Sequence, residues 1–339
     1  MKKSLIVVPL AVALAFAYFH VAGRMELGRS AVPLQGTLTS SGPTVNTAIL
    51  MDDVRTLASP AFGGRRTGSD GSKLAQAYIA KRFTDIGLQP FGTSYVQPFS
   101  FSHTSIKGLF TPGKPYKTEY PSAANLVGFI KGSKYPDRYI VVSAHYDHLG
   151  TRNGQIYAGA DDNASGVAAM LAVAASFKTA PPEHTIVFAA FDSEELGKRG
   201  AQAFIGSVPF GRDKLVLNVN LDMVSRSNSN EIWASGLYHN PRLKALVEDA
   251  AKRSTVKVKA GHDKPLYLAG AVEDWTDSSD HGAFHDVGVP YLYFGVEDHA
   301  DYHQSTDTAE KINPGFFTST ASLLVDVVRT ADSKLATIR

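Results

Sequence analysis

Two adjacent carboxylates, Glu194 and Glu195, stand close behind the apolar run from Thr185 to Phe191. Neighbouring side chains in extended chain point to opposite faces, and like charges this close repel unless a cation or a proton lies between them. The pair has company. Upstream are Ala144-His-Tyr-Asp-His-Leu-Gly150 and Gly159-Ala-Asp-Asp-Asn-Ala-Ser-Gly166; downstream are Asn220-Leu-Asp222-Met223 and Asp301-Tyr-His303. Neutral imidazoles and ionised carboxylates are the donors a zinc ion takes, usually four to five of them. Acids and histidines recurring at the ends of successive apolar strands can assemble such a cage from a sheet, so these residues read together as a metal site.

Within that set the residues divide. His145 follows the strand ending at Ser143, and Asp147, two residues on, would orient its ring from behind. Asp161 reads as a solvated loop or helix-cap residue, whereas the company of His145, Glu195 and Asp222 makes Asp162 a ligand candidate. His148, His281, His285 and His299 read as surface or hydrogen-bonded histidines. His299 and His303 have the spacing of a helical metal pair, but no glutamate follows His299, so the single-zinc His-Glu-x-x-His pattern fails. No Gly-x-Ser-x-Gly elbow is present, which argues against a serine hydrolase. Gly63-Gly64 and Gly159 read as turns rather than phosphate loops.

His145-Tyr-Asp147, Asp162-Asn-Ala-Ser-Gly166, Glu194-Glu-Leu-Gly197, Asn220-Leu-Asp222-Met223 and Tyr302-His303 resemble, in order, the motifs of the di-zinc aminopeptidase family. That family also holds glutamate carboxypeptidase-like and glutaminyl-cyclase-like proteins. The resemblance covers roughly residues 44–335, with Ser279-Asp280-His281 as a further family-like phrase. It implies that Asp162 bridges two zinc ions, that His145 and Asp222 complete one, and that Glu195 and His303 complete the other. Glu194 would be the general base, Asp147 would serve it by steadying His145, and Tyr302 would donate to the carbonyl oxyanion. The packed-aromatic reading of Tyr302 stays open. Asp280 would lie behind the ligands. The division is physically sound: two zincs acidify a shared water, and a carboxylate beside it moves the proton to the leaving amine.

The function this implies is removal of N-terminal residues from peptides with a free amine, which Glu194 and Asp222 would recognise. A glutaminyl-cyclase-like acyltransferase with one zinc is an alternative. So is a carboxypeptidase, which needs an arginine near the substrate carboxylate; Arg152, Arg199 and Arg226 lie near the motifs. A non-catalytic binding ectodomain should have lost ligands, and all five ligand positions and the base are present.

Strands must carry these residues to one edge. Residues 139–143, 184–190, 215–221, 230–234 and 290–296 read as strands, and 165–177, 196–205, 241–253 and 313–334 as helices. Residues 44–58 and 69–88 form two earlier helices, the second capped by Ser69 or Asp70 and stopped by Gly87. Residues 91–121 read as loop and edge strands. The alternation predicts an α/β fold, a three-layer αβα sandwich on a mostly parallel mixed central sheet. Walls of a substrate pocket are expected from 91–121, 226–240 and 262–278, with Tyr238, Tyr267 and Trp275 as pocket or core.

The chain has 339 residues with 44% apolar and 19% charged, an ordinary globular balance, and its net charge of +2 gives no case for nucleic acid. Lys2-Lys3, the apolar stretch Leu5–Leu14 and Ala15-Phe16-Ala17 follow the order of a secretory signal. Residues 1–22 are therefore expected to be a signal peptide or, if uncleaved, a membrane anchor. Residues 23–43 are expected to be a linker, and 44–339 a single catalytic domain in the periplasm or outside the cell. The absence of cysteine excludes disulfides and thiolate chemistry and fits export.

Overall fold

The computed structural model of the chain describes residues 32–33, 45–105, 117–265 and 272–335. The expected signal or anchor segment 1–22, nearly all of the linker 23–43, and Tyr267 lie outside the described residues. The strands are β1 (Val32–Pro33), β2 (Gln89–Pro90), β3 (Val96–Thr104), β4 (Lys117–Ile130), β5 (Tyr135–His145), β6 (Gly150–Arg152), β7 (Gln155–Tyr157), β8 (His184–Phe191), β9 (Leu215–Leu221), β10 (Glu231–Ser235), β11 (Lys257–Ala260) and β12 (Tyr291–Gly295). The helices are α1 (Thr47–Leu57), α2 (Asp70–Ile86), α3 (Gly166–Ser176), α4 (Arg199–Gly206), α5 (Lys244–Ala251), α6 (His281–His285) and α7 (Pro314–Lys334).

Local chemistry sets these boundaries. Asn46 caps α1 by accepting the Ala48 and Ile49 N–H groups, so the helix begins later than residue 44. Ser69 caps α2 by accepting Ser72 N–H, and Gly87 ends it at φ +90°, a left-handed position that suits glycine. Ala75, Ile79 and Phe83 repeat every four residues on the buried stripe of α2.

Ten strands form one mixed sheet in the order β1-β11-β10-β12-β9-β5-β8-β4-β2, with β3 added on β4. The central four, β12-β9-β5-β8, are mutually parallel. Antiparallel β4 flanks them on one side and antiparallel β10 on the other. Region 91–121 contributes a long antiparallel edge pair, β3 with β4. The small hairpin β6–β7 and the strand β11 are additions that the apolar patterning did not mark.

Side chains alternate across the sheet as the pleat requires. Ile140, Val142 and Ala144 of β5 and Ile186, Phe188 and Ala190 of β8 face one layer, with Leu50 of α1, Phe83 of α2, Val167 of α3, Leu246 of α5 and Leu324 of α7. Val141, Val187, Ala189 and Phe191 face the other, with Phe204 of α4 and Phe284 of α6. This is the three-layer αβα arrangement. Among the described residues no helix is long and apolar enough to cross a membrane.

Because the central strands are parallel, their carboxyl ends meet at one edge. His145 is the last residue of β5, Ser193–Glu195 lie just past β8, Asp222 follows β9, and residues 299–307 follow β12. In open parallel sheets this edge is where ligand sites form.

Candidate metal centre

The Gly159–Ser165 turn brings Asp162 to this edge. Asn163 stitches it to β9: its amide donates to Leu221 O at 2.9 Å, and its Oδ1 accepts Gly166 N–H at 2.8 Å. A Cβ at Gly166 would lie 2.3 Å from Leu221 O, so only glycine allows this approach. The Asp162–Asn163 peptide is cis.

Two groups of donors result. In the first, His145 Nε2 lies 3.3 Å from Asp162 Oδ1 and 3.3 Å from Asp222 Oδ1. In the second, His303 Nε2 lies 3.1 Å from Asp162 Oδ2 and 3.3 Å from Glu195 Oε2. His148 Nδ1 joins the second group at 2.8 Å from Glu195 Oε1 and 3.7 Å from Asp162 Oδ2. Each of the triads His145/Asp162/Asp222 and His148/Asp162/Glu195 offers donor atoms within 4.8 Å of one another, and Asp162 belongs to both.

The residues fit zinc. Two ligands bound at about 2.0–2.1 Å with a tetrahedral angle stand about 3.4 Å apart, close to the 3.3 Å separations of the first group. Asp222 Oδ1 and Glu195 Oε1 are buried with no hydrogen-bond partner. Buried polar atoms are rarely left so, and a shared cation supplies what they lack. The donor set, imidazole and carboxylate without sulfur, also suits zinc.

Hydrogen bonds from neighbouring residues hold the candidate ligands in place. The His145 Nδ1 faces Asp147 O at 3.1 Å, while the Asp147 carboxylate accepts Glu194 N–H at 2.9 Å. Asp147 thus steadies both the histidine and the segment carrying the acidic pair. Asp307 accepts the N–H groups of Asp161 and Asp162 at 3.0–3.1 Å, clamping the turn that presents Asp162. Arg226 pairs with Asp301 at 2.7 Å and approaches Asp307 at 3.6 Å.

Arg65 is the least expected brace. Its guanidinium is fully buried and donates to four backbone carbonyls: Tyr146 O at 2.8 Å, Leu57 O at 2.7 Å, Ala158 O at 2.7 Å and Gly159 O at 2.9 Å. It ties the His145–His148 segment to the turn before Asp162. Burial lowers its pKa to about 10, while Asp162, Asp307, Asp147 and Glu195 favour its charge. It therefore stays a cation at neutral pH and offsets part of the negative charge gathered here.

In the metal-free chain the histidines take the place of cations. Burial opposes protonation of His303, but Asp162 and Glu195 outweigh it and push its pKa up to about 10. His145 is likewise raised, burial being overcome by Asp222 and Asp162. Burial opposes ionisation of Asp162 too, yet His148, His145 and His303 hold it well below the usual carboxylate range. Glu194 moves the opposite way: burial, with Asp280, Asp222 and Glu195 nearby, raises its carboxyl well above normal despite His145. Asp280 is fully buried with both carboxylate oxygens unpartnered, and burial raises it to about 7. The Tyr302 ring stacks on His303 at 4.0 Å, and burial with nearby Asp162 raises its phenol, which stays protonated.

Several expectations change. Asp161 is not a solvated cap: it is fully buried, its Oδ1 accepting from Ser225 N at 2.9 Å and Ser225 Oγ at 2.6 Å, its Oδ2 facing His299 Nε2 at 3.1 Å. His299 is a hydrogen-bonded histidine as read, accepting Asp301 N–H at Nδ1. His281 is one too, buried against Trp275 O at 2.7 Å, with burial lowering its pKa to about 3. His148 is wholly buried rather than on the surface, with its Nδ1 in the second donor group. Gly63, Gly64 and Gly159 are turns with positive φ. Trp275 packs in a buried aromatic cluster with Trp233, Tyr291 and Tyr293, while Tyr238 is exposed.

The family described as Peptidase family M28 matches residues 125–328. A probable zinc metalloprotease of Pyrenophora tritici-repentis is 29% identical over 279 residues, covering 72% of this chain and 62% of that protein. Aminopeptidase YwaD of Bacillus subtilis is 30% identical over 207 residues, covering 60% of this chain and 40% of that protein. The chain thus spans about half the length of the curated relatives it matches. The solved zinc aminopeptidase BSAP of Bacillus subtilis superposes with a TM-score of 0.68 at 18% identity, covering 86% of this chain and 96% of that one, a likeness of fold.

Proposed function

The chain belongs to peptidase family M28, and we propose that it is a zinc-dependent aminopeptidase acting on peptides with a free N-terminus. The observation that carries the reading is the pair of donor groups sharing Asp162, with Glu194 beside them. His145, Asp162 and Asp222 would hold one zinc, and Asp162, Glu195 and His303 the other. Zinc held there polarises the scissile carbonyl and acidifies the attacking water.

The chain's own residues carry the remaining steps. Glu194 takes the proton of the attacking water and delivers it to the leaving nitrogen, so that a C–O bond forms, the C–N bond breaks and Glu194 ends as it began. Its raised pKa suits a carboxyl that must both accept and give up a proton. Tyr302, protonated and next to His303, donates to the oxygen on which charge develops. Glu194 and Asp222 supply the negative charge that a free α-ammonium group requires. Arg226 is occupied by Asp301 and Asp307 and so is not free to bind a substrate carboxylate. The N-terminal segment, residues 1–22, would export the protein.

The test is a panel of aminoacyl-nitroanilides, N-acetylated peptides, C-terminally free but N-blocked peptides and N-terminal glutaminyl peptides, with and without chelator. Hydrolysis confined to free-amine substrates and restored by zinc is expected. Release of a C-terminal residue from blocked peptides, or cyclisation of glutaminyl peptides in place of hydrolysis, would replace the aminopeptidase reading. Activity unaffected by thorough metal removal would end it.

A further inference from the structure

Sequence pattern makes His148 an ordinary histidine, three residues past His145. The structure gives it unusual surroundings. Its side chain is wholly buried, and neither ring nitrogen has a hydrogen-bond partner. Its Nδ1 lies 2.8 Å from Glu195 Oε1, a buried oxygen that also lacks a hydrogen-bond partner. His148, Asp162 and Glu195 offer donor atoms that all lie within 4.8 Å of one another, close enough to share one ion. A buried imidazole left with no partner is rare in native structures.

The ring is held in this pose by its neighbours. A Cβ at Gly159 would lie 2.6 Å from His148 Cγ and Cδ2, so the glycine makes room for the imidazole. The His303 ring centroid stands 5.8 Å from that of His148. Gly159 is itself pinned by Arg65, which also holds the segment leading to His148.

We propose that His148 is a protein ligand of the second zinc, which then has four protein donors, His148, Asp162, Glu195 and His303, against three, His145, Asp162 and Asp222, for the first. This rests on the reading of the centre as a two-zinc site. Four protein donors close a zinc site, and three leave a position open for water or substrate. The two ions are therefore unequal: the second is tightly held, while the first exchanges readily and presents the open position.

Dialysis of the zinc-loaded protein against graded chelator, with metal counted per chain, separates the two. Wild type should release one zinc well before the other. In His148→Gln both should leave together, the tight ion weakened about 100-fold or more. Thermal unfolding of the metal-free variant controls for folding. A readout on the wild type stands even if that variant misfolds: in the cobalt(II)-loaded protein, proton NMR should show three histidine rings shifted by direct ligation. Two shifted rings, or a tight ion unaffected by His148→Gln, would overturn the assignment of His148 alone. Fewer than two ions bound by wild type would overturn the two-zinc reading itself.

Discussion

The two donor groups share one aspartate but are built by different parts of the molecule. His145 and Asp222 of the first group stand at the ends of β5 and β9, adjacent parallel strands whose register pairs Ser143 with Asn220. The sheet sets their separation. The second group is gathered from three loops, by way of His148, Glu195 and His303, and the His303 side chain is 37% exposed. Loops do not hold a ligand by register, so this half needs braces: Arg65 behind His148 and Gly159, Asp147 behind Glu194, and Asp307 behind Asp162. A metal centre at a sheet edge can thus join a half fixed by secondary structure to a half fixed by buried polar contacts.

Perturbations should respect that division. The largest effect is expected from Asp162→Ala, which removes the residue common to both groups: zinc content should fall to zero and turnover by at least about 10⁴-fold. Loss of one ion only would show that the groups are independent. Glu194→Gln should leave both ions in place, measured by metal analysis, while kcat falls about 10³-fold. Near-normal turnover with metal bound would remove Glu194 from the base role.

Arg65→Met strips the brace of the loop-built half, taking a donor from four buried carbonyls, of which Gly159 O keeps the Ala164 N–H. A loss of about 3 kcal/mol in urea unfolding of the metal-free protein is expected, and a loss under about 0.5 kcal/mol, the range of an ordinary surface substitution, would contradict it. Asp307→Asn weakens the hold on the Asp162 turn and should reduce zinc affinity by about 10–100-fold without changing zinc stoichiometry. The smallest effect is the pH dependence. Zinc needs neutral His303, whose pKa in the metal-free chain is raised to about 10. Affinity should therefore rise with pH, by up to about tenfold per unit from this group, and the gain from it should end above pH 10. A flat affinity between about pH 7 and 9 would mean that His303 is already neutral there.

The sheet-built half was open to reading from the sequence, because apolar runs mark β5, β8 and β9 and their ends locate His145, the acidic pair and Asp222. The ordered motifs carried Asp162 and His303 with them. The braces were not readable in the same way. Arg65 meets Gly159 across 94 residues, and Asp307 meets Asp161 across 146. No local periodicity or propensity reports contacts between irregular segments so far apart. The buried role of Asp161 is hidden for the same reason, since it is defined by what folds against it. A Gly-Arg pair before a helix carries no sign that the guanidinium will be buried against carbonyls from two other loops.

Zinc counted per chain during titration of the metal-free protein, with hydrolysis of an aminoacyl-nitroanilide followed in the same samples, tests the centre most directly. Two zincs bound per chain, with activity appearing as they bind, is the expected result. A single zinc at full activity, or full activity with none, would contradict a centre in which Asp162 serves two ions.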